Sequence, residues 1–271
     1  MKANKVLFIT QEIIPFTESS AMADNCRYLL QATLDRGHEI RTFMPKWGNI
    51  NERRNQLHEV IRLTGMNIIV DDTDHPLIIK VASLQSLRTQ VFFILNEDYF
   101  RNHLNTRDEK GNEYPDNDER TIFFARSVLE TVKKQSWYPD VIHCHGWIGA
   151  LAGLYIKTFY KNEPAFKNTK FVYSLYDDAF SATFPENYLE KIIIKNMETV
   201  DFSDISGAVG YQELSKIAIR WSDGVVLNCE NADPTLIDYA RSLNKPVLEY
   251  KTGEEYADAC SAFYNQLCDQ E

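Results

Sequence analysis

Val6-Leu7-Phe8-Ile9 is an unbroken apolar run of strand length, followed first by a helical pattern and then by a second strand. Four consecutive apolar residues leave no polar face, so a strand made of them must be covered on both sides. Met22, Cys26, Leu29, Leu30 and Leu34 recur at helical spacing, and Gly37 stands where a helix C-terminal glycine belongs. Ile40 to Met44 reads as the next strand, stopped by Pro45. This order is a βαβ unit, whose crossover is right-handed almost without exception.

The alternation returns after residue 115. The spacing predicts a helix over Asp116–Lys134, a strand over Asp140–Cys144, a helix over Trp147–Tyr160 and a strand over Lys170–Leu175. Helices are expected over Leu189–Met197 and Gln212–Trp221, then a strand over Gly224–Asn228, a helix over Pro234–Leu243, a strand over Val247–Glu249 and a closing helix over Gly253–Leu267. Residues 57–95 differ. Leu57–Leu63, Ile68–Val70, Leu77–Val81 and Val91–Leu95 are short β-type runs without room for helices, an expected excursion that is partly antiparallel. The fold class is therefore α/β: a Rossmann-like, doubly wound, mostly parallel sheet of about seven strands, with helices on both faces. No repeat or linker divides the sequence, so residues 1–271 are expected to form one domain.

Composition narrows the partners. Lys and Arg number 29 against 39 Asp and Glu, a net charge of −10. That balance argues against nucleic acid and against a membrane surface, both of which are anionic. No apolar run approaches the roughly 18–20 residues that span a bilayer, and the N-terminus reads as a first strand and not as a signal peptide. Cys26, Cys144, Cys229, Cys260 and Cys268 are odd in number and scattered, with no C-x-x-C, which suits reduced thiols in a cytoplasm.

An open parallel sheet binds ligands beyond the carboxyl ends of its strands. The candidate stretches are Thr10–Asp24, Met44–Gly48, His143–Trp147, Tyr176–Asp178 and Asn228–Glu230. His143 and His145 share one side of a strand, with Cys144 opposite as a buried, inert thiol. The histidines suit hydrogen bonding to a hydroxyl or phosphate, or proton transfer; equally, they suit a strand-end pair bonded within the protein. Their spacing matches no common zinc pattern, so neither metal nor cofactor is expected. Gly146, Gly149 and Gly153 suit close helix–sheet packing. Asp116 with Glu119 three residues on has the form of a capping box. The first turn carries neither G-x-G-x-x-G nor G-x-x-x-x-G-K-S/T, which removes support for dinucleotide and Walker-type sites.

Several fragments read in order carry a resemblance: KVLFITQEIIPF, GHEIRTFMPKWG, NEDYFRN with EYPDNDERTIFFARSVLE, PDVIHCHGWIGALAGLY and IAIRWSDGVV. Together they resemble the N-terminal catalytic domain of bacterial glycogen synthase and plant starch synthase. The resemblance implies one half of a two-domain GT-B fold. It also implies glucosyl transfer from ADP- or UDP-glucose to an α-1,4-glucan. It places Tyr99, Asp116 and Asn117 near sugar and acceptor, with Arg120 supporting that helix start. His145 would lie beside the donor glucose as the principal catalytic candidate, with Asp116 second and His143 as a binding residue. Trp147 matches the aromatic of the family's H-x-H-D-W, and Gly146 replaces its Asp.

The departures concern the donor. Glu18 stands where the family's K-x-G-G-L loop has its lysine, followed by Ser19, and Ser20-Ala21-Met22 stand for G-G-L. At an effective dielectric near 20, two like charges about 4 Å apart cost on the order of 4 kcal/mol, and side chains block the close approach glycine permits. Tyr176-Asp177 replaces a His-Asn pair, and Ser181-Ala182 replaces Q-G. The nucleotide-binding half of the family, with its Arg-Lys pair and glutamates, is not represented in residues 1–271 and is expected to be absent. Three readings stand. The chain is a domain without catalysis of its own that binds glucan, regulates a synthase or pairs with a nucleotide-binding chain. Or it is active when assembled with such a chain or as a homo-oligomer. Or it is a small-metabolite or nucleotide-binding α/β protein.

Overall fold

The computed structural model describes residues 5–269 apart from Asn196, Glu198 and Ser206. Its strands are β1 (Lys5–Thr10), β2 (Glu39–Pro45), β3 (His58–Glu59), β4 (Met66–Val70), β5 (Thr73–Leu84), β6 (Thr89–Leu95), β7 (Val141–His145), β8 (Lys170–Leu175), β9 (Gly224–Leu227) and β10 (Val247–Leu248). Its helices are α1 (Ala21–Asp35), α2 (Asn117–Gln135), α3 (Ala152–Lys157), α4 (Tyr188–Ile192), α5 (Tyr211–Arg220), α6 (Pro234–Ser242) and α7 (Gly253–Asp269).

The strand order is β10-β9-β8-β7-β1-β2-β6-β5-β3, with β4 paired to β5. The seven strands from β10 to β6 are all parallel. The antiparallel excursion is built on β5, which pairs with β3, β4 and β6. β1 lies at the centre, flanked by β2 and β7, and Val6 to Ile9 are buried as their unbroken apolar run requires.

Alternation along β7 sets the two faces. His143 reaches Tyr264 of α7 on one side. On the other, Cys144 sits under the turn Trp147–Gly149, where a Cβ on Gly149 would lie 2.8 Å from its Sγ. Burial pushes that thiol well above its ordinary pKa, as suits an inert core residue. Gly153 packs as closely: a Cβ there would lie 2.4 Å from the Phe171 ring.

Three expected elements are shorter. Leu57–Leu63 forms only the two-residue β3, because Leu63 and Thr64 turn back to bond the Val60 carbonyl and leave Ile61 exposed. Trp147–Tyr160 is not one helix but a 3-10 turn over Trp147–Gly149 and then α3. The helix expected over Leu189–Met197 ends at Ile192, where Ile193 turns extended; Asn196 of that stretch lies outside the described residues. Among the described residues no helix is long and apolar enough to cross a membrane.

Candidate functional site

A cleft of about 340 Å3 opens at the carboxyl ends of β1, β7, β8 and β9. Trp147, Tyr176, Asp177, Ser20 and Ala21 from the sequence reading all line it. They are joined there by Gln11, Glu12, Asn105–Arg107, Asp178, Phe180 and Asn228.

The strand-end histidines lie beneath this surface. Both have no solvent exposure, and their rings are 4.0 Å apart. His143 is satisfied at both nitrogens, by Tyr264 Oη at 2.6 Å and Ser174 Oγ at 2.7 Å. His145 Nδ1 meets Tyr176 Oη at 2.8 Å. Asn25 Nδ2 donates to that same hydroxyl at 3.4 Å, so the Tyr176 proton is free to go to Nδ1, leaving Nε2–H buried and without a partner. Burial pushes His145 down to about 3 and lowers His143 too, so both rings are neutral at physiological pH. A network continues from here: Asn25 donates to Asn228 Oδ1 at 2.7 Å, and Asn228 to Ser174 Oγ at 2.6 Å. Tyr176 thus acts as a lid on His145 and ties β7 to α1, and Asn25 carries the link on to Asn228 just beyond β9.

Asn117 and Arg120 stand behind the cleft. Asn117 Nδ2 donates to the Thr106 carbonyl at 2.9 Å. Arg120 donates to Asn117 Oδ1 at 2.6 Å and to the Asn105 carbonyl at 2.7 Å. Its guanidinium lies over Trp47, Phe100 and Tyr114, and burial lowers its pKa to about 10, still charged at neutral pH. The pair therefore holds the Asn105–Thr106 rim from within.

Asp116 departs from its expected capping role. It precedes α2, but with φ −94° and ψ 10° it makes no side-chain cap bond; its Oδ2 faces His103 Nε2 at 3.6 Å. Glu119 does not reach back to close a capping box, because its carboxylate is taken by Lys191 at 2.6 Å and Tyr99 at 2.8 Å. Tyr99 is itself 3% exposed and bonded to His75 at 3.0 Å, so it belongs to a buried cluster under β5 and not to the cleft wall.

In the first loop Glu18 is exposed. Ser19 Oγ donates to Asp24 at 2.7 Å. Ser20 caps α1, accepting from Ala23 N at 3.0 Å, while its hydroxyl donates to Glu12 Oε2 at 2.5 Å. The helix start that would face an anion is thus closed by a serine and backed by a carboxylate. Gly146 has φ +89°, and a Cβ there would lie 2.8 Å from Gln11 Cβ, so no aspartate fits without displacing Gln11.

Sequence reasoning missed Asn25 and Tyr211, while Gln11, Asp178 and Asn228 fall within its candidate stretches without a role of their own. Tyr211 Oη donates to Asp178 Oδ1 at 2.7 Å, and burial pushes Asp178 up to about 6. A signal existed for Asn25: it is a polar residue on the face of α1 marked by Met22, Cys26 and Leu29. Asp178 was visible as the second of two adjacent acids beyond a strand end.

A parallel sheet with its cleft beyond the strand ends places the chain among doubly wound α/β proteins that bind ligands at that edge. The sequence pattern of the starch synthase catalytic domain family matches residues 5–231, and the chain belongs to that family. It is 38% identical to a glycogen synthase of Chlorobium luteolum over 190 residues, covering 70% of this chain and 39% of that protein. Against a glycogen synthase of Chlorobaculum tepidum it is 34% identical over 235 residues, covering 86% of this chain and 47% of the relative. The catalytic domain of starch synthase IV from Arabidopsis thaliana, bound to ADP and acarbose, shares the fold. Its TM-score is 0.74 at 18% identity, over 93% of this chain and 52% of that one. The chain spans less than half the length of those curated relatives.

Proposed function

We propose that this chain is a glycogen/starch synthase-type domain that binds α-glucan at its strand-end cleft and does not transfer glucose by itself. It then acts as a glucan-binding or regulatory subunit, or as one that works with a separate nucleotide-binding chain. What carries the reading is the charge of the cleft. Glu12, Asp177 and Asp178 line it against one cation, Arg107, whose guanidinium is already bonded to Glu113 at 3.3 Å and to the Ala179 carbonyl at 3.2 Å. Carboxylates accept hydrogen bonds well from the hydroxyls of a neutral sugar and repel a diphosphate. Stabilising the leaving diphosphate is a large part of such a transfer, and these walls offer little for it.

Calorimetry of the isolated chain with maltoheptaose and with ADP-glucose tests this, beside radiolabelled glucose incorporation into glycogen. Heat with maltoheptaose, none with ADP-glucose and no incorporation is the expected result. Incorporation above a His145→Ala control would overturn the non-catalytic reading. Binding of ADP-glucose without glucan would favour the nucleotide-binding alternative.

A further inference from the structure

Two segments that line the cleft are joined to each other across it. Residues 106–114 form a small hairpin built on turn chemistry. Asp108 N–H donates to the Asn112 carbonyl at 2.8 Å, and the Asp108 carboxylate accepts from the Lys110 and Asn112 N–H groups at 2.9 and 2.8 Å. Gly111 takes φ +83° at the tip. Arg107 and Glu113 form an antiparallel bridge, so their side chains leave the hairpin on one face. That face meets the loop over residues 176–183. Thr106 and Arg107 line the cleft from the hairpin, and Ala179 and Phe180 line it from the loop.

The join rests on two side chains. Glu113 accepts the Ser181 N–H at 2.9 Å with Oε1 and the Ala182 N–H at 2.8 Å with Oε2. Arg107 donates to the Ala179 carbonyl at 3.2 Å. Among the described residues every hydrogen bond from the hairpin to this loop belongs to Glu113 or Arg107. Burial would raise the Glu113 pKa, yet the two amides and Arg107 hold it below the ordinary carboxylate range, so the grip is made by the ionised group. Each segment is anchored separately from behind. Asn117 and Arg120 hold the hairpin base through the Thr106 and Asn105 carbonyls. Phe180 packs on Trp147 at 4.7 Å and on Phe184 at 5.0 Å. Parting the two therefore breaks exposed polar contacts and leaves the buried ones in place, which is the low-stability end of a fold.

We propose that the hairpin over residues 106–114 is a strap across the cleft, held shut by Glu113 and Arg107, that opens to admit a chain of several glucose units. This rests on the glucan reading of the cleft and names its regulation. At about 340 Å3 the cleft lies at the small end of ligand pockets, which run from about 300 to about 1,000 Å3, so a longer glucan has to extend past its mouth. The Arg107–Ala179 bond joins two residues of that mouth, and a polymer cannot lie across it while it is closed.

Stopped-flow tryptophan fluorescence with maltoheptaose, using the intact chain and Glu113→Gln, tests the strap; Trp147 in the cleft wall is the reporter. Glutamine keeps the size and one acceptor but turns an amide nitrogen towards the second N–H. The observed association rate of the wild type is expected to reach a plateau set by opening, and the plateau to rise about tenfold in the variant. Binding by the variant alone also supports a strap that is shut in the wild type. A wild-type rate that climbs with concentration and never levels, or a plateau the folded variant leaves unchanged, overturns the strap and spares the glucan reading. No maltoheptaose binding by either protein in calorimetry overturns both. Where fluorescence is silent, hydrogen exchange decides: protection of the Ser181 and Ala182 amides is expected to fall about tenfold in the variant, and equal protection overturns the proposal. Arg107→Gln, which removes the other half of the join, stands in if Glu113→Gln fails to fold.

Discussion

Asp178→Asn tests how the cleft is charged. Burial holds the Asp178 carboxyl up to about 6 against an ordinary 3.8, its Oδ2 is buried without a partner, and Tyr211 donates to its Oδ1 at 2.7 Å. Asparagine keeps the shape and the acceptor for Tyr211 and removes the charge. A carboxyl whose folded pKa is raised destabilises the folded state above that pKa. The penalty fades as pH falls through about 6 and is gone near 3.8, where the unfolded chain is protonated as well. At 1.36 kcal/mol per unit, that interval has a ceiling of about 3 kcal/mol.

About 1.4 kcal/mol of this is recovered by about pH 5, where the folded carboxyl is mostly protonated and the unfolded one still ionised. The new amide nitrogen at the Oδ2 position lacks a partner too, but that cost does not vary with pH. The buried histidines titrate alike in both proteins and cancel. Urea unfolding of wild type and Asp178→Asn, followed by circular dichroism from about pH 7.5 to about pH 5, reads the difference. The advantage of the variant is expected to shrink by about 1 kcal/mol or more over that range. A stability difference that stays constant with pH refutes the buried-charge account of the cleft.

Tyr176→Phe removes the one partner of His145 Nδ1 and leaves a buried imidazole with both nitrogens unmet, a cost of about 1–3 kcal/mol. Thermal melts are expected to fall by several degrees, and an unchanged midpoint would show that the lid hydroxyl carries no structural role. Gly153→Ala drives a methyl to 2.4 Å from the Phe171 ring and 3.0 Å from the Trp221 carbonyl, so a loss of about 1–3 kcal/mol in urea unfolding is expected. A neutral result would mean that the ring moves aside and that the glycine is not required by packing.

The strand pattern was most legible where a buried parallel strand is a continuous apolar run, as at Val6–Ile9; Ile40–Met44 and Lys170–Leu175 contain polar residues and also occupy the central sheet as read. Leu57–Leu63 misled because apolar composition does not encode whether a segment has a neighbour to pair with; β5 pairs with His58 and Glu59 and accepts one more bond from Val60 N before the chain turns away. The capping box failed for a tertiary reason. Lys191, some seventy residues away in sequence, claims the Glu119 carboxylate, and no local pattern records that. The cleft was legible as a set of strand ends, and Trp147, Tyr176 and Asp177 meet there. What periodicity could not show was depth. His145 and Trp147 are two residues apart, yet one lies wholly beneath Tyr176 and the other reaches the cleft surface.

The residues that depart from the resembled family pattern support one another through contact. Gly146 has no side chain, and Gln11 packs against the place where one would be. Gln11 is in turn fixed on three sides: its N–H donates to the His145 carbonyl at 3.0 Å, its carbonyl accepts from the Trp47 indole at 2.8 Å, and its Oε1 accepts from Ile148 N at 3.4 Å. His145 is held by Tyr176, and Tyr176 by Asn25 on the helix that Ser20 caps. Ser20 is bonded to Glu12, one residue beyond Gln11. The chain of contacts closes on itself, so these side chains form one shared layer at the floor of the cleft. A lysine in place of the exposed Glu18 would change the charge at the rim and leave Gln11, Tyr176 and the Glu12–Ser20 bond as they are. The strand-end layer therefore responds as a unit: a substitution at Gln11, Tyr176 or Ser20 is felt by the other two, whereas one at the exposed Glu18 is not.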